Sequence, residues 1–166
     1  IHDESMTDAS FKAQGDKYLK NAQWQKAVDA YTSALSRPEV DASQVLDAVV
    51  LGSRSRCYAF LGNLENAVVD ARFSLLLDPA YAQGYYRLGC ALLELGRIQE
   101  AQDVVDRAAL RVPFTKSMEQ LKEDCRIRLA GEVPFNPRRY LEAAQLHHNH
   151  SHEHGHEHEH GHEHGH

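Results

Sequence analysis

Apolar residues recur along this chain at helical spacing in three successive copies of one pattern. In each copy an apolar stripe is followed by a tight turn, then by a second stripe that contains an alanine, and then by a proline. The alanines are Ala27, Ala67 and Ala101, so the second interval is 34 residues and the first is 40, the same period with six residues inserted. Because apolar residues three and four positions apart share one face of a helix, each copy predicts two amphipathic helices joined by a turn.

Small residues mark where the two helices of each copy are expected to cross. Helix backbones approach most closely where side chains are small, and each first helix carries one small residue that we expect to face the alanine of the second helix: Gly15, Ser55 and Gly89. A proline ends each copy because it cannot continue a helix and disfavours the helical conformation of the residue before it. One copy cannot bury its apolar face alone, whereas three stacked copies can.

The three copies resemble the tetratricopeptide repeat, a helix-turn-helix unit of about 34 residues. The residues that carry the resemblance in the first copy are Phe11, Gly15, Tyr18, Trp24, Ala27, Tyr31 and Pro38. Those of the second copy are Leu51, Ser55, Tyr58, Gly62, Asn63, Ala67, Ala71 and Pro79. Those of the third copy are Tyr85, Leu88, Gly89, Leu92, Gly96, Arg97, Ala101, Val105 and Pro113. The resemblance implies an all-α fold, an α-α superhelix or solenoid of three repeats that spans residues 6–130 together with a capping helix.

The segment after the third copy predicts that capping helix, from about residue 115 to 130. Ser117 is followed three residues later by Gln120, which is the signature of a capping box at a helix start. The apolar positions of this segment share one face: Met118, Leu121, Cys125 and Leu129. We expect this face to cover the end of the last repeat.

The two ends of the chain differ in composition from the repeats. Residues 1–5 precede Met6, which we expect to be the natural start, so these five residues are interpreted as a cloning remnant. Residues 131–146 contain two prolines and predict a linker or a short helical extension. If that segment instead fills the groove of its own or a neighbouring molecule, Phe135 and Tyr140 are its expected anchors.

Residues 147–166 are of low complexity and contain eleven of the twelve histidines, with four glutamates and three glycines. They offer no apolar surface to bury, so we expect this tail to be disordered. Because neutral imidazole binds zinc, nickel and copper, we expect these ions to bind the tail. A native sequence and an engineered affinity tag both explain this composition. The candidate ligands are His147, His148, His150, His152, His154, His156, His158, His160, His162, His164 and His166.

Length and charge narrow the class of protein. A chain of 166 residues with 42% hydrophobic residues predicts one small domain with a core of its own. No run approaches the ~20 apolar residues that span a bilayer, and the N-terminus lacks the apolar core of a signal peptide, so we expect a cytoplasmic protein without a membrane partner. The net charge of -6 argues against nucleic-acid binding. The odd number of distant cysteines predicts buried, reduced thiols at Cys57, Cys90 and Cys125.

Motifs for catalysis are absent from the sequence. The chain has no glycine-rich phosphate loop, no His-Glu-x-x-His helix and no nucleophile elbow. Carboxylates within the repeats, such as Asp70, Glu94 and Glu100, are expected at solvent-facing helix positions. We therefore expect a protein that is not an enzyme and requires no cofactor.

A narrower resemblance points to the tetratricopeptide cochaperones. The first copy opens with residues 11–17, Phe-Lys-Ala-Gln-Gly-Asp-Lys, as theirs do, and the six-residue extension before the second copy also occurs in that group. In those proteins a clamp of lysine, asparagine and arginine side chains grips the C-terminal Glu-Glu-Val-Asp peptide of heat-shock chaperones. The corresponding positions here are Lys12, Asp16, Ser53, Gln83 and Arg87.

The clamp implied by this resemblance is incomplete. Lys12 and Arg87 match, whereas Asp16 brings a negative charge, and Ser53 and Gln83 replace an amide and a cation. Hydrogen bonds to charged groups contribute ~1.5–3 kcal/mol each, so these losses shift a micromolar peptide complex toward millimolar. Arg56 is expected to face the same groove and to compensate in part.

The resulting interpretation is a non-enzymatic adaptor that binds a protein or peptide segment in the concave groove formed by the first helices of the repeats. A heat-shock chaperone C-terminus, bound with weakened affinity, is the candidate partner, and the protein is expected to be a monomer or a weak homo-oligomer. Two alternatives stay open at this point: a metal-handling protein that uses the histidine tail, and a self-assembling subunit that uses residues 131–146.

Overall fold

The computed structural model describes residues 8–36 and 44–131, which fold into seven α-helices. Residues 1–5, the predicted extension after residue 131 and the histidine tail, with all its candidate metal ligands, lie outside these described residues. The helices are α1 (Asp8–Lys20), α2 (Trp24–Leu35), α3 (Gln44–Phe60), α4 (Leu64–Leu77), α5 (Ala82–Glu94), α6 (Ile98–Ala109) and α7 (Lys116–Leu129).

The helices pair as the repeat pattern predicts. α1 packs on α2, α3 on α4 and α5 on α6, and each pair also contacts the next pair along the chain. α7 packs on α5 and α6. The prediction of an all-α solenoid of three helix-turn-helix repeats with a capping helix is therefore confirmed. One continuous core runs from α4 to α7, and a second apolar cluster joins α1, α2 and α3.

The three turns inside the repeats share one backbone conformation. Gly62 and Gly96 both adopt a φ of +78°, the left-handed region that favours glycine. Ala22 occupies the equivalent position of the first repeat with a φ of +56°. The residue after each of them closes the turn with a backbone hydrogen bond of 2.8–2.9 Å to the carbonyl five residues earlier. The first repeat therefore forms the same turn with an alanine, a residue for which the left-handed backbone conformation is strained.

A hydrogen bond joins the two helices at one of the three predicted crossings. Ser55 Oγ donates a 2.6 Å hydrogen bond to the carbonyl of Ala67, so these residues do face each other. A methyl group at Gly15, however, would lie 2.5 Å from the Tyr31 ring, and one at Gly89 would lie 2.6 Å from Leu121 Cδ2. The side chains nearest to these two glycines are therefore Tyr31 and Leu121, which fill the space that the missing side chains leave.

The capping helix begins differently from the prediction. The N-cap of α7 is Thr115, whose side chain accepts a 3.3 Å hydrogen bond from the backbone amide of Met118. The capping box assigned to Ser117 and Gln120 was therefore wrong, because Ser117 already lies within the first helical turn and Gln120 donates instead to Asp124 at 3.1 Å. A sequence with Thr and Ser two positions apart contains two plausible helix starts.

The buried face of α7 is shorter than its apolar stripe. Met118, Leu121 and Cys125 are buried, whereas Leu129 is 47% exposed. The three cysteines are all buried and free, as predicted. Burial raises the pKa of Cys57 and Cys90 to about 12 and that of Cys125 to about 11, so these thiols stay protonated.

Two of the three carboxylates expected at the surface are buried. Asp70 is 4% exposed and Glu94 is 7% exposed, whereas Glu100 is exposed as predicted. Asp70 is held by Arg54 of the neighbouring helix, and burial raises the pKa of Glu94 to about 7. The prediction failed because it assigned charge to the surface without considering that a paired or protonated carboxylate can be buried.

Candidate functional site

The six residues predicted for the groove lie on the first helices of the three repeats. Lys12 and Asp16 belong to α1, Ser53 and Arg56 to α3, and Gln83 and Arg87 to α5. These helices are neighbours, since α3 contacts both α1 and α5. We call the surface that these six residues define the concave face, because the first helices line the inner side of such a solenoid.

The α1 half of the concave face is joined by a polar network. Lys12 Nζ lies 2.7 Å from Asp16 Oδ2, and the Tyr31 hydroxyl donates a 2.6 Å hydrogen bond to Asp16 Oδ1. Ser53 approaches the same Tyr31 hydroxyl from α3. Burial, and then the hydrogen bond to Asp16, raises the pKa of Tyr31, which therefore remains a donor. Lys12 already has a counter-charge within its own helix.

The α3 and α5 half carries two arginines. Arg56 Nε is buried and has no hydrogen-bond acceptor in the described part of the chain. Burial lowers the pKa of Arg56, and the nearby guanidinium of Arg87 lowers it further. The two arginines, on the neighbouring helices α3 and α5, therefore repel each other, and no described carboxylate forms an ion pair with either of them.

Aromatic rings support the two guanidinium groups. Arg56 Cζ lies 5.8 Å from the centre of the Phe60 ring, and Arg87 Cζ lies 5.4 Å from that of Tyr86. Cations at this distance from an aromatic ring are stabilised by its electron-rich face. The pKa of Tyr86 is raised above its usual value, chiefly by burial, so this ring stays neutral.

Two further aromatic contacts fix the helices behind the site. Trp24 of α2 stacks on Phe60 of α3 with ring centres 4.0 Å apart and planes 3° from parallel. Tyr81, the N-cap of α5, lies against Gly52 of α3, where an added methyl group would be 2.6 Å from the tyrosine ring. These contacts hold α3 against the preceding and the following repeat.

Sequence reasoning named the six charged and polar positions but did not single out the aromatic residues that contact them. Tyr31 was assigned only to packing, and Phe60 and Tyr86 were not singled out. Gln83 is exposed and makes no hydrogen bond to the other five residues. The signal for Tyr31 was its place in the repeat pattern opposite Gly15, since a missing side chain leaves room for a ring. Its hydroxyl partner depends on the helix crossing and had no signal in the sequence.

Another concavity lies away from the concave face. A cavity of about 600 Å³ is lined by residues of α4, α5 and α6, and these include Arg72, Glu100 and Arg107. Arg72 and Arg97 both contact Glu100 there, at 3.7 and 2.6 Å. Arg72 of this cavity thus has an acidic partner, in contrast to Arg56 and Arg87.

The described ranges contain neither a metal-binding cluster nor a membrane-spanning helix. Residues 8–36 and 44–131 contain no group of three or more His, Cys, Asp or Glu side chains arranged to hold a metal ion. All twelve histidines lie outside these ranges. Among the helices in these ranges, none combines the length and the apolar composition needed to cross a bilayer.

Comparison with known proteins identifies the repeats. The family model of the tetratricopeptide repeat matches residues 82–110, which cover α5 and α6. Heat shock protein STI1 of Saccharomyces cerevisiae is 31% identical over 104 residues, covering 63% of this chain and 17% of that protein. Small glutamine-rich tetratricopeptide repeat-containing protein 2 of the same yeast is 30% identical over 115 residues, covering 68% of this chain and 31% of that protein.

The fold has solved counterparts. The structure described as the first TPR of Spaghetti (RPAP3) bound to the HSP90 peptide SRMEEVD has a TM-score of 0.66 at 25% identity, covering 78% of this chain and 98% of that one. This chain spans only 17–31% of the length of the two yeast relatives. The repeat pattern, the family match and the shared fold together show that this chain belongs to the tetratricopeptide-repeat proteins.

Proposed function

We propose that this protein is a cytoplasmic, non-enzymatic adaptor that binds an extended acidic segment of a partner protein on its concave face. One observation carries the proposal: cations stand at both ends of that face, Lys12 on α1 and Arg87 on α5, on a fold shared with a domain solved with the HSP90 peptide SRMEEVD. The protein class supports it as well, since the yeast relatives are a heat shock protein and a tetratricopeptide-repeat protein.

The C-terminus of a heat-shock chaperone is the candidate partner, and we propose that it binds weakly. The Lys12 cation is paired with Asp16, so a ligand carboxylate meets a charge that is already compensated. Gln83 offers no positive charge where the cochaperone pattern has lysine. Each lost charged hydrogen bond weakens a complex by ~1.5–3 kcal/mol, or about 10- to 150-fold. The protein itself is proposed to be a monomer or a weak homo-oligomer, and nucleic acid is not a proposed partner.

Calorimetric titration with the peptide SRMEEVD tests this proposal. The parent protein is expected to bind weakly, with a dissociation constant of about 100 μM or above. Asp16→Asn combined with Gln83→Lys should tighten binding by about tenfold or more, and added salt should weaken the tightened complex. Arg72→Met, which removes a cation from the other surface, is the matched control and should leave binding unchanged.

Two results would contradict the proposal. If neither the parent nor the double variant bound the peptide, the concave face would not be a site for acidic segments of this type. If the parent bound with a dissociation constant of about 1 μM, the proposed weakening by Asp16 and Gln83 would be wrong.

A further inference from the structure

The two halves of the concave face differ in whether their cations already have partners. In the α1 half, Asp16 accepts from Lys12 at 2.7 Å and from the Tyr31 hydroxyl at 2.6 Å. In the α3 and α5 half, Arg56 Nε is buried without an acceptor, and Arg87 lies near it. The two halves are therefore expected to differ in how readily they bind an acidic ligand.

The α1 half is the less favourable half for an incoming carboxylate. Such a group would have to separate Lys12 from Asp16, and the released Asp16 would then face the ligand with a like charge. Asp16 is also fixed by Tyr31, a ring that fills the space beside Gly15. The clamp implied by the cochaperone resemblance grips a C-terminal peptide, and its α1 part is the part already occupied by Asp16 here.

The arginine half has the opposite property. A buried N–H on a charged group is costly when it lacks an acceptor, so the Arg56 guanidinium is incompletely compensated by the protein. An oxyanion bound beside this guanidinium compensates its charge. The like charge of Arg87 disfavours the empty site and is compensated by the same anion. The planar guanidinium groups are supported by Phe60 and Tyr86, and guanidinium groups of this kind bind carboxylate or phosphoryl oxygens in pairs.

We propose that Arg56 and Arg87 form an oxyanion site for a side-chain carboxylate or phosphoryl group within an extended acidic segment, so that the partner needs no free C-terminus. This inference rests on the proposed function, because it assumes that the concave face binds such segments. It adds the chemical class of the recognised group and moves the principal contact from the chain end to a side chain.

Three peptides test the inference on the full chain. The first is SRMEEVD with a free C-terminus, the second is the same peptide with an amidated C-terminus, and the third is SRMEEVDGS, which moves the aspartate into the chain. We expect all three to bind with dissociation constants within about threefold of one another. A fourth peptide, with phosphoserine in place of that aspartate in the extended sequence, distinguishes the two oxyanions by its relative affinity.

Matched variants assign the contact to Arg56. Arg56→Met should weaken all the peptides by about tenfold or more, and Arg56→Lys by less, because lysine keeps the charge without the paired donors. Arg72→Met makes the same change on the other surface and should leave every dissociation constant unchanged. Thermal unfolding should show that Arg56→Met folds, since it replaces a partly buried charge next to a like charge with an apolar side chain of similar length.

Asp16→Asn provides the reverse experiment. It releases Lys12 and supplies an amide, so a preference for the free over the amidated C-terminus should appear in this variant and be absent from the parent. If the parent binds the free peptide but not the amidated one, or if Arg56→Met leaves binding unchanged, this inference is wrong while the proposed function stands. If none of the peptides binds the parent or its variants, both fail.

Discussion

Arg54 of α3 and Asp70 of α4 are joined by two hydrogen bonds, 2.7 Å from Nε to Oδ2 and 2.9 Å from Nη2 to Oδ1. Their side chains are only 17% and 6% exposed. The same guanidinium donates a 3.1 Å hydrogen bond to Thr32 Oγ1 of α2. The pair therefore joins the two helices of the second repeat, and Arg54 also connects that repeat to the first. Asp70 thus has a structural role.

Loss of this pair is expected to lower stability. Asp70→Ala leaves the largely buried guanidinium of Arg54 without its counter-charge, which should lower the free energy of unfolding by about 2–4 kcal/mol. Urea unfolding followed by circular dichroism measures it. Asp103→Ala, at an exposed position of α6, is the control and should change stability by less than about 0.5 kcal/mol. A loss equally small for Asp70→Ala would show that the pair contributes nothing.

A glycine at position 22 is expected to stabilise the first repeat. Ala22 has a φ of +56°, whereas its counterparts Gly62 and Gly96 have a φ of +78°. Left-handed backbone costs a residue with a Cβ ~1–2 kcal/mol, and part of that gain is offset by the greater freedom of glycine in the unfolded chain. Ala22→Gly should therefore raise the free energy of unfolding by roughly 0.5–1 kcal/mol.

The equivalent turn of the second repeat provides a control for that measurement. A methyl group at Gly62 would meet no atom within 4 Å, so Gly62→Ala changes only the backbone preference. This substitution should destabilise the protein by about 1 kcal/mol. If both variants changed stability in the same direction, the positive φ would not be the property that matters at these turns.

Glu94 is expected to make stability depend on pH between about 4.3 and 7. Burial raises the pKa of this carboxyl to about 7, whereas a glutamate in the unfolded chain titrates near ~4.3. The folded state then holds a proton that the unfolded state releases, so the stability due to the neutral carboxyl is complete below about pH 4.3 and is lost as pH rises through 7. Glu94→Gln should raise the free energy of unfolding at pH 8 by on the order of 1–3 kcal/mol and change it little at pH 4.

Denaturant unfolding at several pH values checks this prediction. Glu65→Gln removes a carboxylate from an exposed position of α4 and should show no comparable difference between pH 4 and pH 8. Equal effects of Glu94→Gln at the two pH values would mean that burial does not perturb this carboxyl.

The histidine-rich tail is expected to bind zinc or nickel near neutral pH. Protons and metal ions compete for the eleven imidazoles of the tail, and an imidazole ordinarily loses its proton near a pH of about 6.5. Metal binding should therefore be clear at pH 7.5 and largely lost at pH 5. Calorimetry on the full chain, compared with a chain that ends at residue 146, measures it. We also expect metal to leave the melting temperature of the repeats nearly unchanged. Equal binding by the shortened chain, or a rise of several degrees in a monomeric sample, would contradict these expectations.

The fold was predictable because three copies of the pattern support one another. Ala27, Ala67 and Ala101 are all completely buried, and the turn glycines Gly62 and Gly96 lie where the pattern placed them. These features depend on local spacing and on the packing of neighbouring helices, which a periodic sequence records directly.

The candidate site was predictable only in part, because its chemistry depends on which side chains meet when the helices pack. The sequence placed Lys12 and Asp16 one helical turn apart, yet the assignment of Asp16 as a repulsive charge did not include its bonds to Lys12 and Tyr31. Similarly, the proximity of Arg56 to Arg87 depends on how α3 and α5 pack. The Lys12–Asp16 pair is an i,i+4 pattern that the sequence does contain. Asp16 and Tyr31 are 15 positions apart, and Arg56 and Arg87 are about twice as far apart, so no short motif encodes these two relationships.

Trp24 is the only tryptophan of the chain, and its ring stacks on Phe60 at the junction of the first and second repeats. Its fluorescence therefore reports on that one junction and not on the whole solenoid. In a linear array of repeats the ends can separate from the rest before the array unfolds as a whole. Emission and circular dichroism recorded on the same sample would therefore distinguish detachment of the first repeat from complete unfolding, without any label.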